Sequence, residues 1–107
     1  MQDIIEQLKI TIAENPILLF MKGSPEAPQC GFSMRTVEAL KGCGVQFAYV
    51  DILSNPEVRK SLPRVSNWPT FPQLFINGEL VGGCDITLEL YQSGELQQMT
   101  QAAVPGQ

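Results

Sequence analysis

Apolar residues recur along this chain in two rhythms, one helical and one extended. Ile4, Ile5, Leu8 and Ile12 fall on one side of a helix from Asp3 to Glu14. Asn15-Pro16 closes it, because a residue before proline is pushed out of the α region. Ile17-Leu18-Leu19-Phe20-Met21 is apolar at every position, the pattern of a strand covered on both faces and so central in a sheet. From Lys22 to Ser33, two prolines and two glycines forbid regular structure until a helix begins. Phe32, Met34, Val37 and Leu40 make that helix amphipathic from about Gly31 to Lys41, and Gly42 and Gly44, flanking Cys43, stop it. Phe47 to Ile52 is a second strand. Asn55-Pro56 is a helix start, with Asn as N-cap and Pro in the first turn, and Pro63 limits that helix to two or three turns. Ser66 to Pro72 is irregular. Gln73 to Ile76 and Glu79 to Val81, joined by Asn77-Gly78, form a hairpin. Asp85 is placed as N-cap of a helix from about Ile86 to Gln92, Gly94 ends it, and Glu95 to about Ala102 forms a last helix. Val104 to Gln107 is expected to fray.

The order is α-β-α-β-α-β-β-α-α. The first strand–helix–strand unit implies parallel pairing, and the hairpin adds an antiparallel pair. This predicts an α/β, thioredoxin-like fold: a four-stranded mixed sheet flanked by about five helices, in one domain spanning 1–107. A chain of 107 residues that is 44% hydrophobic suits this, since at this size roughly 65% of the unfolded surface is buried.

Charge narrows the partners. Seven basic residues against eleven acidic give −4, which argues against general affinity for nucleic-acid backbones. No apolar run approaches the ~20 residues of a membrane span, and Met1-Gln2-Asp3 opens no basic signal segment. These features fit a soluble cytoplasmic protein, and a processed organelle protein would share them. The cysteines are Cys30, Cys43 and Cys84, an odd number that argues against a disulfide framework. Ser33 stands where a Cys-x-x-Cys pair would have its second thiol. There is no histidine, which removes Cys–His pairs and histidine metal sites. Any sulfur-ligated metal needs ligands from outside the chain.

Cys30 lies where loop becomes helix. The first helical turn has unpaired N–H groups and about half a positive charge, so a thiolate there is favoured. Lys22, at the end of the preceding strand, adds a cation. Cys43, at a helix end, reads as a structural thiol. Cys84 either packs and contributes backbone or pairs with Cys30 under oxidation. Trp68 caps the core, and Met21, Met34 and Met99 fill it. Gly82-Gly83 is too short to argue for nucleotide binding.

Lys22-Gly23-Ser24-Pro25, Pro28 and Cys30-Gly31-Phe32-Ser33 together resemble the active-site loop of CGFS-type monothiol glutaredoxins. Trp68-Pro69-Thr70-Phe71-Pro72-Gln73 and Gly82-Gly83-Cys84-Asp85 resemble the same family's second and third signatures, in the right order, and the resemblance covers about Asp3 to Met99. It is to the short, single-domain members. It implies Cys30 as reactive thiol and iron ligand. It implies that Lys22 and Arg59 hold the glycine carboxylate of glutathione. Thr70 and Phe71, before a cis Pro72, would pair with its cysteine, and Cys84 and Asp85 with its γ-glutamyl end. Carboxylates favour cations, and an ammonium favours Asp85.

Two functions follow as expectations. The first is iron–sulfur cluster assembly and transfer. A [2Fe–2S] cluster wants four thiolates; two copies of Cys30 and two glutathiones supply them in a homodimer. The resemblance adds BolA-like proteins and apo iron–sulfur proteins as partners. The second is a glutathione-dependent thiol–disulfide oxidoreductase working through one thiol, since Ser33 cannot resolve a mixed disulfide. An adaptor without chemistry is the third reading, against which the glutathione-site residues argue.

Overall fold

The computed structural model describes residues 3–104. α1 (Ile4–Glu14) precedes β1 (Ile17–Met21), α2 (Gly31–Gly42) follows the Cys30 loop, and β4 (Ala48–Asp51) returns to the sheet. α3 (Pro56–Ser66), β5 (Gln73–Ile76), β6 (Glu79–Gly82), α4 (Cys84–Ser93) and α5 (Glu95–Ala103) complete the order. Two short strands, β2 (Gly23–Ser24) and β3 (Ala27–Pro28), pair antiparallel inside the loop before Cys30. That loop was expected to be irregular. It forms a ribbon because Gly23 adopts φ +88 and the Ser24 hydroxyl accepts the Ala27 N–H at 3.2 Å across the Pro25-Glu26 turn.

The four-stranded sheet has the order β4-β1-β5-β6, with β1 parallel to β4 and antiparallel to β5. This is the thioredoxin-like sheet that the sequence predicts. All five residues of β1 are buried. Alternate side chains enter two cores, as strand geometry requires. Ile17, Leu19 and Met21 join Val37, Leu40, Leu74 and Leu96 under α2, α4 and α5, whereas Leu18 and Phe20 join Leu8, Ile12, Ile52, Leu62 and Phe75 under α1 and α3. Phe20 and Phe75 meet edge to face, centroids 5.6 Å apart. Asn77 and Gly78 both have positive φ, 52° and 80°, which is the turn that Asn-Gly favours in a two-residue hairpin. The Phe71–Pro72 bond is cis, as the resemblance implied.

α3 has the two to three turns expected of it, while the start of α4 and the buried face of α2 differ from the sequence reading. α3 runs through Pro63 to Ser66, and Asn67 ends it in the left-handed region at φ 54, its N–H on the Pro63 carbonyl at 2.9 Å. Pro63 costs one helical hydrogen bond but leaves the next turn intact. α4 begins at Cys84, with Gly83 as N-cap. The Thr87 N–H and hydroxyl both bond the Gly83 carbonyl (3.1 and 2.8 Å), so Asp85 lies inside the first turn rather than capping it. On α2 the buried stripe is Ser33, Thr36, Val37, Ala39 and Leu40, while Phe32 and Met34 stand 55% and 45% exposed. Ser33 and Thr36 take the inner positions because their hydroxyls have partners there. The expected fraying lies outside the described residues except at Val104, whose N–H closes α5 on the Thr100 carbonyl at 3.2 Å. Among the described residues no helix is long and apolar enough to cross a membrane.

Because β1 carries both cores, truncating its largest side chain is the sharpest test of the packing. Phe20→Ala should lower unfolding free energy by about 3–5 kcal/mol, read as an earlier urea midpoint with little change in slope. A loss below about 1 kcal/mol would contradict a rigid two-sided packing around this ring.

Candidate functional site

Cys30 is the N-cap of α2: its carbonyl accepts the Met34 N–H at 3.0 Å, and its sulfur accepts the Ser33 N–H at 3.3 Å. The Ser33 hydroxyl, fully buried, lies 3.3 Å from the same sulfur. It also accepts the Lys22 N–H at 3.1 Å. A hydroxyl has one hydrogen and two acceptor lone pairs. With Lys22 donating into one lone pair, the Ser33 hydrogen remains available to the sulfur. In the thiol form Cys30 donates to Ser33; in the thiolate form Ser33 donates to Cys30. Burial pushes the Cys30 thiol up, but the Ser33 hydroxyl, the Ser33 and Phe32 N–H groups and the Lys22 ammonium together hold it below its ordinary value. Cys30 is half-buried, so this sulfur is both activated and reachable.

Beside α2 runs a groove of about 280 Å³, lined by Phe32, Trp68, Thr70, Phe71, Gly83 and the first residues of α4, including Cys84 and Asp85. Four of the predicted site residues, Thr70, Phe71, Cys84 and Asp85, therefore share one surface. The turn from Gly83 to Ile86 forms one wall, and the first N–H groups of a helix have no carbonyl partner within it. Lys22 stands on the Cys30 side, close enough for its charge to act on the sulfur. Arg59 is exposed on α3 and is absent from the groove lining. Cys43 is buried, and burial raises its thiol despite the Thr100 hydroxyl, as suits a structural role. All three thiols are free.

Two residues that the sequence did not single out shape the site. Gln73, fully buried, donates its amide N–H groups to the carbonyls of Trp68 (2.9 Å) and Thr70 (3.1 Å), pinning the groove loop from inside. Its oxygen and the Trp68 indole N–H, both buried, have no hydrogen-bond partner among the described residues. A glutamine in an otherwise apolar strand was the signal available for it. Asp51, at the end of β4, accepts the Gly23 N–H at 2.9 Å and so ties the loop to the sheet. Phe32 was expected to pack inward and instead is exposed and lines the groove.

Residues 17–81 match the family described as Glutaredoxin. The chain belongs to the glutaredoxin family. It is 64% identical over 99 residues to Glutaredoxin 4 of Escherichia coli, covering 92% of this chain and 86% of that protein. Among solved structures it is similar to reduced apo GrxS14 of poplar, at 48% identity and TM-score 0.78, over 92% of this chain and 90% of that one. It is also similar to the holo form of glutaredoxin C1 from Populus tremula x tremuloides, at 25% identity and TM-score 0.83, over 94% and 89%. Within the family this chain is of the monothiol kind, since its loop reads Cys30-Gly31-Phe32-Ser33.

Removing the Ser33 hydroxyl takes away the foremost group that lowers the Cys30 pKa. In Ser33→Ala, ultraviolet thiolate absorbance should titrate at higher pH than in the wild type; an unchanged midpoint would refute the hydrogen bond's role. The lowered pKa also links to stability. Its contribution is absent below the folded-state pKa, grows as pH rises, and is complete above the unfolded thiol value of about 8.5. The stability difference between the wild type and Cys30→Ser should grow with pH over that window in denaturant titrations, and a flat difference would contradict the assignment.

Proposed function

We propose that this protein holds glutathione along the groove and carries a [2Fe–2S] cluster between two copies of itself, for delivery to apo iron–sulfur proteins. The observation that carries this reading is the isolation of the activated Cys30 sulfur. Among the described residues no three His, Cys, Asp or Glu side chains gather to hold a metal. A cluster with four thiolate ligands therefore draws ligands from outside the chain, and a second Cys30 with two glutathione sulfurs would complete the set.

The groove residues fit glutathione as the source. Lys22, whose charge acts on Cys30, offers a cation to the glycine carboxylate, and Arg59, exposed on α3 outside the groove lining, is proposed as the second. Thr70 and Phe71 offer backbone groups to the central cysteine, placing its sulfur toward Cys30. Asp85 faces the γ-glutamyl ammonium, and the free N–H groups from Cys84 onward face its carboxylate. Phe32 and Met34, in the first turn of the helix that Cys30 caps, are exposed apolar side chains, which suits contact with a second copy or with a BolA-like protein. Ligands that belong half to a small molecule release the cluster readily, as delivery requires. The carrier works in the cytoplasm, in keeping with a chain that shows no membrane-crossing helix among its described residues.

The lowered Cys30 pKa also supports a second reading, in which the thiolate attacks a glutathionylated protein. Its sulfur takes the glutathionyl sulfur as the substrate thiolate leaves, and a second glutathione then restores the thiol and departs as glutathione disulfide.

Anaerobic reconstitution with iron, sulfide and glutathione separates the two. The carrier reading predicts visible cluster absorption that disappears when glutathione is removed and is absent in Cys30→Ser, while far-ultraviolet circular dichroism stays native. No chromophore, together with brisk glutathione-dependent disulfide reduction, would sink it. A glutathione-dependent cluster in Cys30→Ser would refute the ligand assignment.

A further inference from the structure

The backbone around Lys22 is held at three points. The Lys22 N–H donates to the Ser33 hydroxyl at 3.1 Å, and the Lys22 carbonyl accepts the Gln29 N–H at 2.9 Å. The next N–H, that of Gly23, donates to Asp51 Oδ1 at 2.9 Å. The first two bonds lead to Cys30, through the hydroxyl facing its sulfur and through the residue preceding it. The third comes from outside the loop. Asp51 Oδ1 also accepts the Leu53 N–H at 2.9 Å, and Oδ2 accepts the Ser54 hydroxyl at 3.0 Å. The carboxylate is thereby fixed to the turn between β4 and α3. Gly23 leaves no room for a side chain. At φ +88, a Cβ there would come within 2.5 Å of the Ala27 carbonyl oxygen.

We infer that Asp51 is a positioning residue for Cys30: by holding the Gly23 N–H it fixes the Lys22 peptide, and through that peptide the Ser33 hydroxyl that faces the sulfur. Burial pushes the Asp51 carboxyl up, but its four donors, foremost the Gly23 N–H, hold it below the usual carboxylate range, so it is a charged acceptor at neutral pH. The inference rests on Cys30 being the reacting thiol.

The test is the alkylation rate of Cys30 by iodoacetamide at neutral pH, with the label located by mass spectrometry. It needs neither glutathione nor iron, so a failed reconstitution leaves it standing. Asp51→Ala should slow alkylation several-fold, to about the rate of Ser33→Ala. Asp51→Asn, which keeps an oxygen for the Gly23 N–H, should retain most of the wild-type rate. The double variant Asp51→Ala with Ser33→Ala should be no slower than Ser33→Ala alone, because Asp51 acts through that hydroxyl. A wild-type rate in Asp51→Ala would overturn the inference, as would an Asn variant as slow as the Ala variant or effects that multiply in the double variant. Should Asp51→Ala not fold, Asp51→Glu moves the carboxylate off the Gly23 N–H and is expected to be slow. A wild-type rate there overturns the inference equally.

Discussion

The Ser33 hydroxyl is the contact on which the chemistry of this fold depends. It occupies a buried position on α2 where an apolar residue would ordinarily pack, and a buried hydroxyl must find partners. It has two, the Lys22 N–H and the Cys30 sulfur. The first belongs to the end of β1 and the second to the start of α2, so one hydroxyl joins the central strand to the helix it feeds. The same residue that excludes a second loop thiol thus stabilises the charge on the first. Without it, Cys30 would keep its helix-start N–H donors but lose the foremost group that offsets its burial.

That contact starts from a strand packed on both faces. A strand buried on both faces is fixed by two cores, and its last residue, Met21, is fully buried. The loop leaves from this fixed point, turns through Gly23 and re-enters at Cys30, with Asp51 and Gln29 holding its return. On the other side, Gln73 pins the carbonyls of Trp68 and Thr70, so the groove walls are as well anchored as the sulfur. The anchors of the thiol loop and of the groove loop, Asp51 on β4 and Gln73 on β5, sit on opposite neighbours of one strand.

Much of this was legible before any coordinates. Periodicity placed β1 in the centre, Asn77-Gly78 marked the hairpin, and the glycines around Cys43 marked the end of α2. What escaped were choices that periodicity cannot rank. Phe32 and Met34 looked like the inner face of α2, yet the stripe is set by Ser33 and Thr36, whose hydroxyl bonds make burial tolerable. Asp85 looked like a cap, but Gly83 offers its carbonyl two residues earlier. Asp51 fell within the predicted strand Phe47 to Ile52 with no role assigned, and only the fold brings it to Gly23, far away in sequence. The Ser33 and Asp51 contacts join different elements, whereas the Thr36 and Thr87 hydroxyls bond within their own helices; hydrophobic periodicity ranks neither kind.

A chain with one activated sulfur and a neighbouring groove is chemically incomplete by itself, and its proposed function follows from what completes it. Two Cys30 thiolates and two glutathione thiolates around one [2Fe–2S] cluster are the central claim. Native mass spectrometry of the anaerobically reconstituted protein counts these parts directly. The account predicts an assembly of two chains, two irons, two sulfides and two glutathiones that falls apart to single chains when the cluster is removed. A cluster held on one chain, or on two chains without glutathione, would contradict it.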